Sequence, residues 1–152
     1  MKRILSIVLS LTLILSLFAG FSVNAASDII ISGDYEYELL DDGTVSISKY
    51  IGTDSTLTIP EKLDGKTVTK IGKFAFDKNE TIENVTVGKS IKEIGNCTFR
   101  NCQELESIEF LGDLDVVGTY CFCNCTTLRN VVFKGTVKKM GSSVFRSCTD
   151  LR

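Results

Sequence analysis

Six cysteines, nineteen acidic residues and no histidine set the limits on what chemistry this 152-residue chain can carry. The densest cluster, Cys121-x-Cys123-x-Cys125, looks like a metal knot. Structural zinc takes its thiolates from more widely spaced pairs completed by a second Cys or His pair, so this tight spacing does not read as a zinc site. Without imidazole there is no Ser–His or Cys–His couple and no H-E-x-x-H helix. Asp113 with Asp115, or Glu106 with Glu109, could in principle do acid–base work. Carboxylates on turns and strands of a repeat are usually solvated, however, and no convergent set of roles can be assigned to them. Cys123 has no base partner, and the acidic residues are too dispersed for a calcium loop. The expectation is a chain that is not an enzyme, with no metal and no cofactor. Asn79-Glu-Thr81, Asn84-Val-Thr86, Asn96-Cys-Thr98 and Asn124-Cys-Thr126 match the N-glycosylation pattern, a short motif that coincidence explains in a chain rich in Asn and Thr.

These residues are distributed by a repeat of 23. An apolar residue and glycine recur at Ile71-Gly72, Ile94-Gly95, Val117-Gly118 and Met140-Gly141, and four residues after each glycine stands Phe76, Phe99, Phe122 or Phe145. Three further on come Asn79, Cys102, Cys125 and Cys148, then Ile82, Leu105, Leu128 and Leu151. A fixed period of this length marks a solenoid, in which each unit buries its apolar side only against its neighbours. Ile82-x-x-Val85-x-Val87, Leu105-x-x-Ile108-x-Phe110 and Leu128-x-x-Val131-x-Phe133 alternate as short strands that stack in parallel. Gly88, Gly112 and Gly135 then suit turns with positive φ, and a second face begins at Val68, Ile91, Leu114 or Val137. After the Ile-Gly pair a short helical turn is expected to carry the Phe inward, so the predicted class is an α/β repeat solenoid. Four rings in one register should form an aromatic spine. The cysteines of one column should stack as a ladder roughly 4.8 Å apart, and parallel side chains favour buried structural thiols over disulfides.

Residues 1–25 read differently. Met1-Lys2-Arg3 precedes an apolar run from Ile4 to about Phe21, and Val23-Asn24-Ala25 supplies small residues, which together predict a secretory signal peptide cleaved after Ala25. The rival is an uncleaved membrane anchor. Without Lys2 and Arg3, 15 of the 17 basic residues face 19 acidic ones, a net charge near −4. No Lys/Arg run appears, so nucleic-acid binding has no electrostatic support, and membrane contact is expected only during export. Residues 26–55 contain alternating segments on either side of Asp42-Gly43 and predict an N-terminal β-hairpin cap. Residues 56–152 are the repeats, the first enlarged by about five residues around Asp64-Gly65. The last stops at Arg152, before the strand its own period demands, which suggests a fragment of a longer protein.

The motif Ile71-Gly72-x-x-Ala75-Phe76, with the Cys102-x-x-Leu105-x-x-Ile108-x-Phe110 continuation, resembles the BspA-like (treponemal-type) leucine-rich repeats. The resemblance covers about residues 35–152. Alanine survives only at Ala75, replaced by Thr98, Cys121 and Val144, and the proline after the strand only at Pro60. It implies a right-handed coil in a secreted or cell-surface protein, with roles in adhesion to host matrix and in co-aggregation. In horseshoe repeats the outward strand positions are the default recognition surface. Here these are Thr58, Asn84, Thr86, Ser107, Glu109, Asn130 and Val132, flanked by Glu83, Glu106 and Arg129. The function expected is binding of an extracellular protein or glycan along this face. The alternatives are a structural spacer, or a targeting module of a larger cell-wall or glycan-degrading enzyme.

Overall fold

The structure, a computed structural model, describes residues 29–152; the signal-peptide reading lies outside them. Among the described residues there are twelve short strands and no helix. One sheet, here called A, runs β1 (Ile30–Ser32), β2 (Tyr35–Leu39), β3 (Val45–Tyr50), β6 (Lys66–Ile71), β8 (Glu93–Ile94), β10 (Leu114–Val117) and β12 (Val137–Met140), with β5 (Lys62–Leu63) paired to β6. The other, sheet B, is wholly parallel and runs β4 (Thr56–Thr58), β7 (Asn84–Val87), β9 (Ser107–Phe110), β11 (Asn130–Phe133). Each coil contributes one strand to sheet B, one to sheet A, and a turn segment that closes the loop.

The core lies between these three stretches. Inward residues of sheet B, such as Val85, Ile108 and Phe110, meet Ile71, Ile94 and Val117 of sheet A, and all are at most 3% exposed. Across the turn segments the rings of Phe76, Phe99, Phe122 and Phe145 stack with centroids 4.8, 5.4 and 5.5 Å apart and interplanar angles of 18°, 5° and 5°. Tyr50 extends this stack at 5.3 Å from Phe76, and Tyr35 follows at 5.3 Å from Tyr50. A second ladder joins Phe110 to Phe133 at 4.9 Å. Offset stacking at these distances adds to the area each ring buries.

The turn segment is not a helix, and the α/β expectation is corrected to an all-β solenoid. Two residues in every segment have left-handed backbones: Phe74 and Lys78, Cys97 and Asn101, Tyr120 and Asn124, Ser143 and Ser147, with φ from 55° to 67°. An α-helix admits no such residues. Instead, alternate N–H groups bond to the next coil (Phe74 to the Asn96 carbonyl, Phe76 to Thr98, Lys78 to Arg100), while those between close tight turns within the segment (Asp77 to Phe74, Asn79 to Phe76). The same alternation recurs one coil later from Cys97 to Asn101. The backbone is thus satisfied by a third ladder rather than by helical bonds.

The glycine column answers to this ladder. Gly72, Gly95, Gly118 and Gly141 each donate to a carbonyl of the coil before, at 2.7–2.8 Å. A Cβ on Gly118 would fall 2.4 Å from the backbone of Gly95, and one on Gly141 2.4 Å from Thr119 N. The expected positive φ at Gly88, Gly112 and Gly135 is not found. Gly112 and Gly135 serve the same close approach, since a Cβ there would lie 2.8 Å from Lys89 and 2.6 Å from Gly112.

The separate N-terminal hairpin cap is also corrected. Asp42-Gly43 does turn the chain between antiparallel β2 and β3, with the Asp42 carboxylate accepting Thr44 N–H. But β3 is itself the first member of the parallel ladder, Val45 beside Val68 and Ile47 beside Ile71, and its Tyr50 ring belongs to the spine. A cap stands outside the repeat's register; β3 stands within it. The two strands beyond are clasped from the first coil: Asp64, at the β5–β6 turn, accepts Ser32 Oγ and Tyr37 OH, each at 2.7 Å.

Candidate ligand-binding face

Sheet B places its outward side chains in two straight columns, because period-two alternation and an unshifted parallel register repeat them coil by coil. Thr56, Asn84, Ser107 and Asn130 form one; Thr58, Thr86, Glu109 and Val132 form the other. All of them except Thr58 border a shallow depression of about 240 Å³: Thr56, Asn84, Thr86, Ser107, Glu109, Asn130 and Val132. Of the seven residues singled out from sequence, six line it. Thr58 sits in register beside Thr86 but outside the lining, and Thr56 takes its place. Thr56 was missed although its signal was present: it precedes Thr58 by two, as Asn84 precedes Thr86.

The face is largely polar along its length. Ser107 Oγ donates to Asn84 Oδ1 at 2.6 Å, fixing one amide against the next coil. Glu109 pairs with Lys134 at 3.1 Å, and Glu106 with Arg129 at 3.2 Å. Exposed pairs of this kind add little stability, but they shape the charge distribution along the face. Along one flank, backbone bonds stack Glu83, Glu106, Arg129 and Arg152, so charge passes from negative to positive down the coil axis.

The remaining columns sit on the turn side, away from this face. Cys102, Cys125 and Cys148 each donate their thiol to the carbonyl of the preceding coil's phenylalanine (Phe76, Phe99, Phe122) at 3.1, 2.9 and 3.0 Å. All six cysteines are free. The neighbouring Cys102 thiol and burial push Cys125 far above its ordinary range, burial does the same to Cys121, and burial raises Cys148 to about 11. Protonated thiols are donors here, not nucleophiles. Asn79 reverses the polarity: its Oδ1 accepts from Thr81 N–H and Ile82 N–H at 2.9 Å, closing its own turn. Thr98, buried in the alanine column, donates to the carbonyls of Gly72 and Gly95. Among the described residues no three His, Cys, Asp or Glu side chains gather as a metal site would require, and no helix is long and apolar enough to cross a membrane.

Solved structures share this arrangement. A leucine rich cell surface protein from Faecalibacterium prausnitzii A2-165 superposes with a TM-score of 0.76 at 26% identity, over 81% of this chain and 35% of that one. A leucine-rich repeat protein from Bacteroides capillosus ATCC 29799 gives 0.73 at 26% identity, over 81% of this chain and 94% of that one. The leucine rich repeat protein of T. pallidum gives 0.58 at 25% identity, over 78% and 66%. The chain therefore spans about a third of the Faecalibacterium protein and nearly all of the Bacteroides one. No curated protein matches the chain in sequence. The BspA type leucine rich repeat region matches residues 46–152 in six copies, beginning inside β3. With its glycine, phenylalanine and cysteine columns stacked as described, the chain belongs to the BspA-type leucine-rich repeat family.

Proposed function

We propose that this chain is a non-catalytic binding module, exported and acting at or beyond the cell surface, that holds an extracellular protein or glycan along sheet B. The observation that carries this reading is the unshifted register of β4, β7, β9 and β11, which turns single polar residues into two continuous columns on a rigid floor. A pre-formed surface loses little conformational freedom on binding, so many shallow contacts can sum to useful affinity. The cell-surface description of the Faecalibacterium relative supports the location, as does the reading of residues 1–25 as an export signal.

The test is capture of immobilised extracellular-matrix proteins and surface glycans by the chain and by its Glu109→Arg/Asn130→Arg variant. Both substitutions lie on the outward columns, so the melting transition stays where it is. Binding lost with the melt unchanged supports the face. Binding that survives both arginines moves the site elsewhere, and absence of binding to the whole panel favours a spacer.

A further inference from the structure

A second depression lies on the turn side, remote from the outward columns of sheet B. It has a volume of about 290 Å³ and is bordered by Lys49, Phe74, Asp77, Lys78, Asn79 and Glu80, with Tyr50 at its base. We propose that it is a carbohydrate subsite, in which the Phe74 ring stacks against the C–H face of a β-gluco-configured sugar (a glucose or N-acetylglucosamine unit).

A single exposed phenylalanine means little by itself. Phe74 differs in its placing. It is 46% exposed on a backbone at φ 60°, a conformation that suits bulky residues poorly. The conformation belongs to the fold, since Cys97, Tyr120 and Ser143 share it; the choice of phenylalanine does not. On the side of the following coil the ring is backed by the Arg100 guanidinium, 5.2 Å from its centroid. Asp77 holds that guanidinium in a two-pronged bond, Nε to Oδ1 and Nη2 to Oδ2, both 2.9 Å. Such a fork fixes orientation as well as charge. One face of the ring is therefore occupied and immobile, while the ring also borders the depression shared with Lys49 and Tyr50 of the preceding coil.

The depression exists because the turn ladder begins here. In later segments the carbonyls of Asn96 and Arg100, or Thr119 and Cys123, each accept an N–H from the coil before. Their counterparts, Lys73 and Asp77, accept no backbone N–H among the described residues, whereas Ala75 between them accepts Tyr50 N–H. Two open acceptors separated by an occupied one cannot continue a peptide strand. The Asp77 carbonyl, which borders the depression, can accept a hydroxyl; Lys73 lies outside its lining. Lys49 and Lys78 add donors, and Glu80 adds an acceptor, around one aromatic platform whose π-face is electron-rich. Equatorial hydroxyls reaching outward to such groups, with axial C–H bonds turned to a ring, is how a β-gluco pyranose presents itself.

The experiment is an amide-shift NMR titration of the chain with cellotetraose and with chitotetraose, at concentrations through and above about 1 mM, where a small shallow site saturates. Expected are shifts confined to Lys49 and residues 74–80, affinity reduced about ten-fold by Phe74→Ser, retention by Phe74→Tyr, and no change with Glu109→Arg/Asn130→Arg. Serine and tyrosine occupy this position in other coils, so both variants fold, which the melt confirms. The subsite is overturned if neither sugar moves these amides, if the shifts fall on sheet B, if Phe74→Ser binds as well as the parent, or if an extended peptide moves the same amides while the sugars do not. Failure here leaves the sheet B reading untouched, because that reading is tested by the arginine pair.

Discussion

The turn side and the sheet B side of each coil are built from the same backbone ladder under opposite rules. On the turn side glycine and phenylalanine recur without exception from Gly72 to Phe145, and cysteine from Cys102 to Cys148. On sheet B the outward positions run Asn, Ser, Asn and Thr, Glu, Val. The difference is one of room. A glycine Cβ would meet backbone at about the length of a strong hydrogen bond, and the rings stack with no space between coils. The outward side chains of sheet B meet each other, solvent and, at Glu109, the exposed Lys134. Identity is fixed where coils touch and is free where they face outward, which is why the proposed partner face is assigned to the free columns.

The largest break is at the spine. Phe99 is fully buried between Phe76 and Phe122, and Phe99→Ala removes two stacking contacts and leaves a cavity at a cost of about 3–5 kcal/mol. Against a total stability of about 5–15 kcal/mol for an ordinary domain, the cooperative transition should be lost. A melt lowered by only a degree or two would show that the stack is ornamental.

Next comes the glycine column. Gly118→Ala puts a methyl 2.4 Å from the Gly95 carbonyl group and 2.5 Å from Asn96 N, and no flexible side chain can yield. Separating two coils should cost about 1–3 kcal/mol. Gly88→Ala is its control: the nearest atoms are Glu61 Cγ at 3.1 Å and Oε1 at 3.2 Å, the end of a movable side chain. Equal denaturation midpoints for the two variants would remove close approach as the reason for the column.

Much of this was readable beforehand, and the misreadings have physical causes. The period, the inward columns and seven of the eight outward residues follow from alternation and spacing alone. The helix was misread because Ile71, Ala75 and Phe76 stand at i, i+4 and i+5, close to a helical stripe. Phe74 and Lys78 carry no compositional sign of their left-handed backbones, since neither is glycine or asparagine. The Asp42-Gly43 turn was legible, but nothing in β3 marks it as the start of the parallel ladder: the bulge between Val45 and Ser46 shifts it out of the 23-residue count. The Phe74 depression was invisible because it depends on what the preceding coil lacks.

A smaller effect separates the first coil from the later ones. Hydrogen bonds from Ser32 and then Tyr37 hold the Asp64 carboxyl below its usual range. A folded-state value lower than the unfolded one means that this contribution is present above about pH 4 and is lost as pH falls through the folded value. Asp64→Asn should therefore lower the melting temperature at neutral pH by less than Gly118→Ala does, and the gap to the parent should narrow below pH 4. A gap that stays constant with pH would mean that the clasp on β1 and β2 does not depend on the carboxylate's charge.

The finest test uses two adjacent residues of β7. Val85 points inward and is 3% exposed, whereas Thr86 points outward in the second column. Val85→Thr keeps the shape but buries a hydroxyl, at a cost of about 1–3 kcal/mol. Thr86→Val, the reverse exchange one residue on, should stay within about 0.5 kcal/mol of the parent, since Val132 already occupies that column two coils later. Urea midpoints for the pair decide whether the alternation that defines sheet B is as sharp in energy as in geometry. If Thr86→Val costs as much as Val85→Thr, the outward columns are committed to folding and are not free to be shaped for a partner. If it costs nothing yet alters capture, the same substitution shows binding and stability acting through opposite faces of one strand.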